Sequence, residues 1–207
     1  MSFWKEETCV HRFLEETQYV DYSNSAIQDK CKELFRDSMD EIERAKVAFE
    51  FVRDQIPHSF DCNAKIITAK ASDVLINCTG ICHAKANLLA ALLRAQNIPA
   101  GFCYEHITLG EDDSVGYCVH AFNAVYLNGS WIKLDARGNK ENVNAQFSLD
   151  NPILAYLPRE QYDEYFFPGI YANSHIDTMK MLERARSLQD IMDNIPEFVH
   201  ETPEIME

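Results

Sequence analysis

An α+β fold is predicted by three observations. Amphipathic helical patterns occupy the first half of the chain, a long leucine-rich helix follows them, and aromatic and β-branched runs joined by a hairpin signal come next. No repeat, low-complexity segment or linker interrupts the 207 residues, so residues 1–207 read as a single domain with enough chain to bury a core.

Between residues 25 and 56, apolar side chains recur at spacings of three and four (Leu34, Phe35, Met39, Ile42, Ala45, Val47, Ala48, Phe49, Val52). The pattern breaks near residues 36–40, which predicts two helices, and Pro57 closes the second. A short strand is expected at residues 66–68 and a helical turn near 72–75. Thr79 and Gly80 then precede a helix over about 81–96, whose Leu88, Leu89, Leu92 and Leu93 form the buried stripe. Asn97 and Pro99 supply its stop signal. Residues 100–108 and 116–127 read as strands separated by a turn at 110–114. Asn128-Gly129 is a type I′ hairpin signal, because both central residues of that turn need positive φ, so a third strand at 130–135 must run antiparallel to the second. Beyond Gly138 the chain reads as loop to Pro168-Gly169, with a last helix over about 177–193.

The apolar share of 46% and charged share of 25% are those of a globular protein and argue against disorder. No apolar run is long enough to span a bilayer, so no membrane association is expected. The opening residues Lys5, Glu6 and Glu7 stand where an export signal needs an apolar stretch, and a cytoplasmic location is expected. Seven cysteines in no framework spacing read as free thiols in a reducing compartment. A net charge of −14 without a basic patch argues against a nucleic-acid partner. That charge serves solubility, or favours cationic substrates such as amines.

Cys82 opens the leucine-rich helix, where unpaired N–H groups and the helix dipole favour a thiolate and could also hold an oxyanion. It shares a helical face with Ala86, Leu89 and Leu93, which should turn its sulfur toward the sheet. Counting back from a two-residue Asn128-Gly129 loop pairs Leu127 with Ser130, Phe122 with Asp135 and His120 with Arg137. His120 and Asp135 then project from one sheet face as diagonal neighbours. Alone, each has an ordinary structural reading. Together, a cysteine at a helix N-terminus followed by an imidazole and a carboxylate on paired strands is the order of parts a thiol triad requires.

The blocks Gly80-Ile81-Cys82, Leu92-Leu93-Arg94-Ala95-Gln96-Asn97-Ile98-Pro99-Ala100, His120-Ala121-Phe122 and Trp131-Ile132-Lys133-Leu134-Asp135 resemble the transglutaminase-like superfamily. Residues 53–58 resemble its upstream helix end, so the motif-bearing core spans about 25–140 and leaves a helical extension at about 141–207. Asn97 stands where the family has glycine, and Phe122 where it commonly has tryptophan. The resemblance implies a papain-like fold, its central helix carrying the cysteine against an antiparallel sheet that carries histidine and aspartate. It also implies a thiol site needing no metal or cofactor, with Cys82, His120 and Asp135 as catalytic residues. The expected function is hydrolysis of peptide or protein amides through an acyl-enzyme at Cys82. The alternatives are acyl transfer to a primary amine, as in transglutaminases, and a non-catalytic binding module on the same fold. Oligomeric state is left open.

Gln55 and His58 lie where thiol enzymes place an additional oxyanion donor, or simply form a polar helix end. Cys78, Cys82, His83, Cys103, His106, Cys118 and His120 could assemble a zinc site on paper, but no C-x-x-C spacing supports one. Lys85 and Arg94 are expected on an exposed helix face. Arg137 either anchors Asp135 or pairs with surface acids, and Trp131 reads as core. Tyr156, Tyr162, Tyr165, Phe166, Phe167 and Tyr171 either cover part of a cleft or pack on the helices.

Overall fold

A computed structural model describes residues 10–206. Cys9 and the acidic opening residues lie outside the described part. Helix α1 (Ser25–Leu34) is capped by the Asn24 side chain, which accepts from the Ala26 N–H. Helix α2 (Glu41–Gln55) begins with a reciprocal capping box between Asp40 and Glu43. Helix α3 (Ala71–Asn77) ends at Cys78, whose φ of 51° is left-handed. Helix α4 (Cys82–Arg94) is the predicted central helix.

The strand expected at residues 66–68 is not formed. Its β-propensity finds no strand edge to pair with, and side chains tie the segment down instead: Thr68 Oγ1 donates to Thr79 O, and Asn87 Nδ2 donates to Ala69 O, both at 2.8 Å.

Strands β1 (Ala100–Thr108), β2 (Tyr117–Leu127), β3 (Ser130–Leu134) and β4 (Tyr165–Phe166) form an antiparallel sheet in the order β3-β2-β1-β4. The hairpin has the predicted turn, with φ of 51° at Asn128 and 83° at Gly129, and Leu127 faces Ser130. The ladder, however, stops at Asn123–Leu134, so the expected pairs Phe122–Asp135 and His120–Arg137 do not form. The cause is local. Asp135 Oδ1 accepts the N–H of Arg137 at 3.0 Å, an Asx turn that peels the chain away from β2. Strand β4 lies inside the stretch read as loop and pairs Phe166 with Glu105. The last helix is two helices, α5 (Ile176–Arg184) and α6 (Leu188–Asn194), because Ser187 starts a new one by accepting from the Asp190 N–H.

Helix α4 is buried on every side, with α1, α2 and α3 against one flank and β1 and β2 against the other. This overturns the expectation that Lys85 and Arg94 face solvent; they are 0% and 2% exposed. Their long side chains cross the core to reach main-chain acceptors. Arg94 donates to the carbonyls of Glu15, Ala100 and Ala172, and Lys85 Nζ to that of Ile56. Among the described residues, no helix is long and apolar enough to cross a membrane.

Burial pushes the Lys85 ammonium down to about 7, with Arg137 adding to the effect. An unfolded lysine titrates near 10.4. Between these values the unfolded chain therefore binds more protons than the folded one, and stability rises with pH. Below about pH 7 both states carry the charge and the penalty is fully present. The Lys85→Met protein should lose this dependence, so the stability difference between variant and parent should change by ~4 kcal/mol from pH 7 to pH 10. Urea unfolding across that range checks this; parallel stability curves would refute a buried, neutral Lys85.

Candidate active site

The N-terminus of α4 is fixed from below by residues 58–59. His58 and Gly80 form an isolated parallel bridge, and Ser59 N–H donates to Gly80 O at 3.1 Å. Cys82 is thereby held as the first helical residue, next to the sheet.

Odd-numbered residues of β2 face α4, as shown by Asn123 Nδ2 donating to Ala86 O at 3.1 Å and by Val119, Ala121 and Val125 sharing a core cluster with the leucines of α4. His120 and Phe122 therefore face the other way, Phe122 into a separate cluster with Phe13 and Ile170. Thiol and imidazole meet because β3 ends early. Past Leu134 no strand among the described residues pairs this edge of β2: Val119 N–H donates to Pro196 O, and Ala121 N–H is left for the sulfur of Cys82. The sulfur thus sits over an open strand edge, beside the His120 ring, rather than on the sheet face that the stripe on α4 covers.

His120 Nε2 lies 2.9 Å from Asp135 Oδ2, which leaves Nδ1 for Cys82. The Asp135 carboxylate is almost fully buried and also accepts from the N–H groups of Ala155 and Arg137, each at 3.0 Å. Tyr156 closes on the His120 ring edge-on, with centroids 5.1 Å apart. Burial alone would raise the Cys82 thiol, but the adjacent His120 and the Ala121 N–H outweigh it and hold the thiol below its ordinary value. For His120 burial acts downward, yet the charges and hydrogen bonds of Asp135 and Cys82 lift the imidazole well above its usual range. Asp135, penalised by burial, is held low by His120 and by the two backbone donors. All three favour the thiolate–imidazolium form.

Cys82 and His120 line one wall of a cleft of about 730 Å³, together with His58, Arg137 and Tyr156, while Asp135 is buried behind the His120 ring. His58 is buried there and neutral, since burial and the Arg137 charge push it well below its ordinary value. Its Nε2 accepts the Cys82 N–H at 3.1 Å, the donor expected to be free for an oxyanion. Among the described residues its Nδ1 has no hydrogen-bond partner. Gln55 is not brought to the cleft. It is the last residue of α2 and exposed, outside the lining of the cleft.

Arg137 does not clamp the Asp135 carboxylate with its guanidinium, which instead pairs with Asp61. Trp131 packs on Phe13 and Tyr126. The aromatic stretch divides between the two readings, Tyr156 lining the cleft while Phe166 packs on Phe122 and Tyr171 on Tyr104.

The cysteines and histidines considered for zinc do not converge: Cys78 is exposed at the end of α3, and His106 stacks between Tyr117 and Tyr165. A different trio does, Glu105, His120 and Asp135, with one ligand atom each inside 4.8 Å. Here the Asp135 oxygens already accept three N–H groups, one of them His120 Nε2–H, so a proton fills the space a metal would need. Glu105 was not singled out in the sequence. Its one signal is an acid amid the apolar residues of a strand whose nine residues are all buried.

The sequence profile described as the transglutaminase-like superfamily matches residues 28–136, more than half of the chain. No curated protein matches it. Among solved structures, similarity extends to a candidate cysteine protease from Cytophaga hutchinsonii, 22% identical with a TM-score of 0.49, over 62% of this chain and 42% of that one. It extends also to a TGase, 17% identical with a TM-score of 0.36, over 72% of this chain and 35% of that one. The chain spans less than half the length of either protein.

Proposed function

The chain belongs to the transglutaminase-like superfamily of thiol-dependent enzymes, and on that footing we propose that it hydrolyses peptide or protein amides through an acyl-enzyme at Cys82. One observation carries the reading: Cys82 and His120 line an open cleft, and behind them the buried Asp135 carboxylate bonds the imidazole at 2.9 Å.

In this reaction the Cys82 thiolate attacks the amide carbonyl carbon, and the carbonyl oxygen takes the Cys82 N–H over from His58. The His120 imidazolium then gives its Nδ1 proton to the departing amine as the C–N bond breaks, leaving a thioester. Water, deprotonated by His120, attacks the thioester. The acid leaves, and the proton returns the site to its thiolate–imidazolium form. Asp135 keeps Nε2 protonated and the ring aimed throughout. A primary amine in place of water would yield a new amide, and a panel of peptide amides assayed with and without added amine separates the two outcomes. The exposed free thiols of Cys62 and Cys78 fit a reducing compartment such as the cytoplasm.

Iodoacetamide at pH 6 tests the site without a substrate. Burial lifts Cys31 to about 11 and Cys118 to about 12, so neither should react. Cys82 should be alkylated at least about tenfold faster than exposed Cys62 and Cys78, and His120→Ala should abolish that advantage. Equal rates at all three would favour a binding module that has kept the fold alone.

A further inference from the structure

The proposed reaction uses Cys82, His120 and Asp135 and leaves a fourth titratable group in the same buried cluster without a task. Glu105 stands on β1 directly across the ladder from His120, and its carboxyl Oε1 lies 3.9 Å from His120 Nε2. It is 0% exposed, and among the described residues neither of its oxygens has a hydrogen-bond partner. A carboxylate that is charged, buried and unbonded is strongly disfavoured, so a side chain kept in this state is held as the neutral acid.

We infer that Glu105 is a positioning residue that sets how firmly His120 holds its proton, being a second carboxyl beside the His120–Asp135 pair, neutral at rest and able to add its charge there. The inference rests on the thiol chemistry proposed above. The groups facing Glu105 are His120 and Cys118 from β2, Asp135 from the turn after β3, Cys82 from α4, and Glu164 from the segment before β4. Strand β4 itself places Phe166 opposite. Burial moves the Glu105 carboxyl up to about 8; His120 opposes this, while Asp135, Glu164 and Cys82 reinforce it.

The consequence has a definite sign. Below about pH 8 Asp135 is the one carboxylate facing the imidazolium, which can still release its proton to a leaving amine once the Cys82 sulfur is bonded to the acyl group. As pH rises past that point Glu105 loses its proton, and the added negative charge moves the deprotonation of His120 to higher pH. The two groups then titrate as a linked pair. A glutamine fills the same space but can never supply this charge.

The ¹⁵N shifts of the His120 ring, followed by NMR against pH in the parent and in Glu105→Gln, test this without turnover. The parent should show a step near pH 8 that the variant lacks, and the variant's imidazolium should deprotonate at a pH lower by about one unit or more. Glu105→Met, which removes an unbonded buried carboxyl, should show the same two changes and stands in if the glutamine variant folds poorly. Coincident titrations in parent and variants would overturn the inference, even if amide turnover is intact. A pH 8 step that persists while Cys82 proves no more reactive than Cys62 would sink the thiol chemistry alone.

Discussion

Replacing Cys82 by serine is expected to lower amide turnover by at least about 10³-fold while leaving the melting temperature within a few degrees of the parent. The substitution exchanges one small group for another at a buried helix start, and a hydroxyl can still accept the Ala121 N–H that the sulfur holds. The chemistry changes far more than the packing. The His120 ring and the Ala121 N–H hold the Cys82 thiol below its ordinary value, whereas an alcohol surrenders its proton only within the transition state. The triad of a serine enzyme is built around that difficulty; this site, with its imidazole already lifted well above the usual range, is built around a preformed ion pair. Release of free amine from a peptide amide, measured by mass spectrometry for both proteins, decides the matter. Turnover within tenfold of the parent would remove Cys82 from the reaction.

What could be read from residues alone was whatever local geometry dictates. Asn128-Gly129 set the hairpin and the Leu127–Ser130 register; His120 and Asp135 do meet at 2.9 Å, but through the turn that follows β3 and not through the extended ladder that the register implied. The helix start at Cys82 followed from Thr79-Gly80 and the leucine stripe. Long-range packing was not legible. Nothing in the spacing of Lys85 and Arg94 distinguishes a solvated charge from one that crosses the core to a carbonyl, because that depends on what surrounds the helix. The strand β4 was hidden in an aromatic run, since a two-residue strand has no periodicity. Glu105 was missed for the same reason that makes it informative: strand alternation marks a buried position but cannot say that an imidazole occupies the facing one.

The early end of β3 links fold to chemistry, and Asp135 controls both. Its two oxygens receive three donors: His120 Nε2 and the Ala155 N–H on Oδ2, and the Arg137 N–H on Oδ1. An asparagine cannot satisfy this arrangement in either orientation. With its amide nitrogen in the place of Oδ1, N–H meets the Arg137 N–H, and the turn that ends β3 loses its bond. With the nitrogen in the place of Oδ2, it meets the Ala155 N–H and donates to His120 Nε2, which forces the ring proton onto Nδ1, against the thiol. Either way a buried donor is orphaned, at about 1–3 kcal/mol, and the imidazolium loses its counter-charge. The Asp135→Asn protein should therefore melt several degrees lower and lose about 10²–10⁴-fold in turnover, with the Cys82 alkylation profile moving to higher pH because the thiolate has lost its stabilised partner. Calorimetry and the iodoacetamide rate from pH 5 to 9 read the two effects separately. A full melting temperature together with an unshifted alkylation profile would mean that the 2.9 Å contact holds nothing the site depends on.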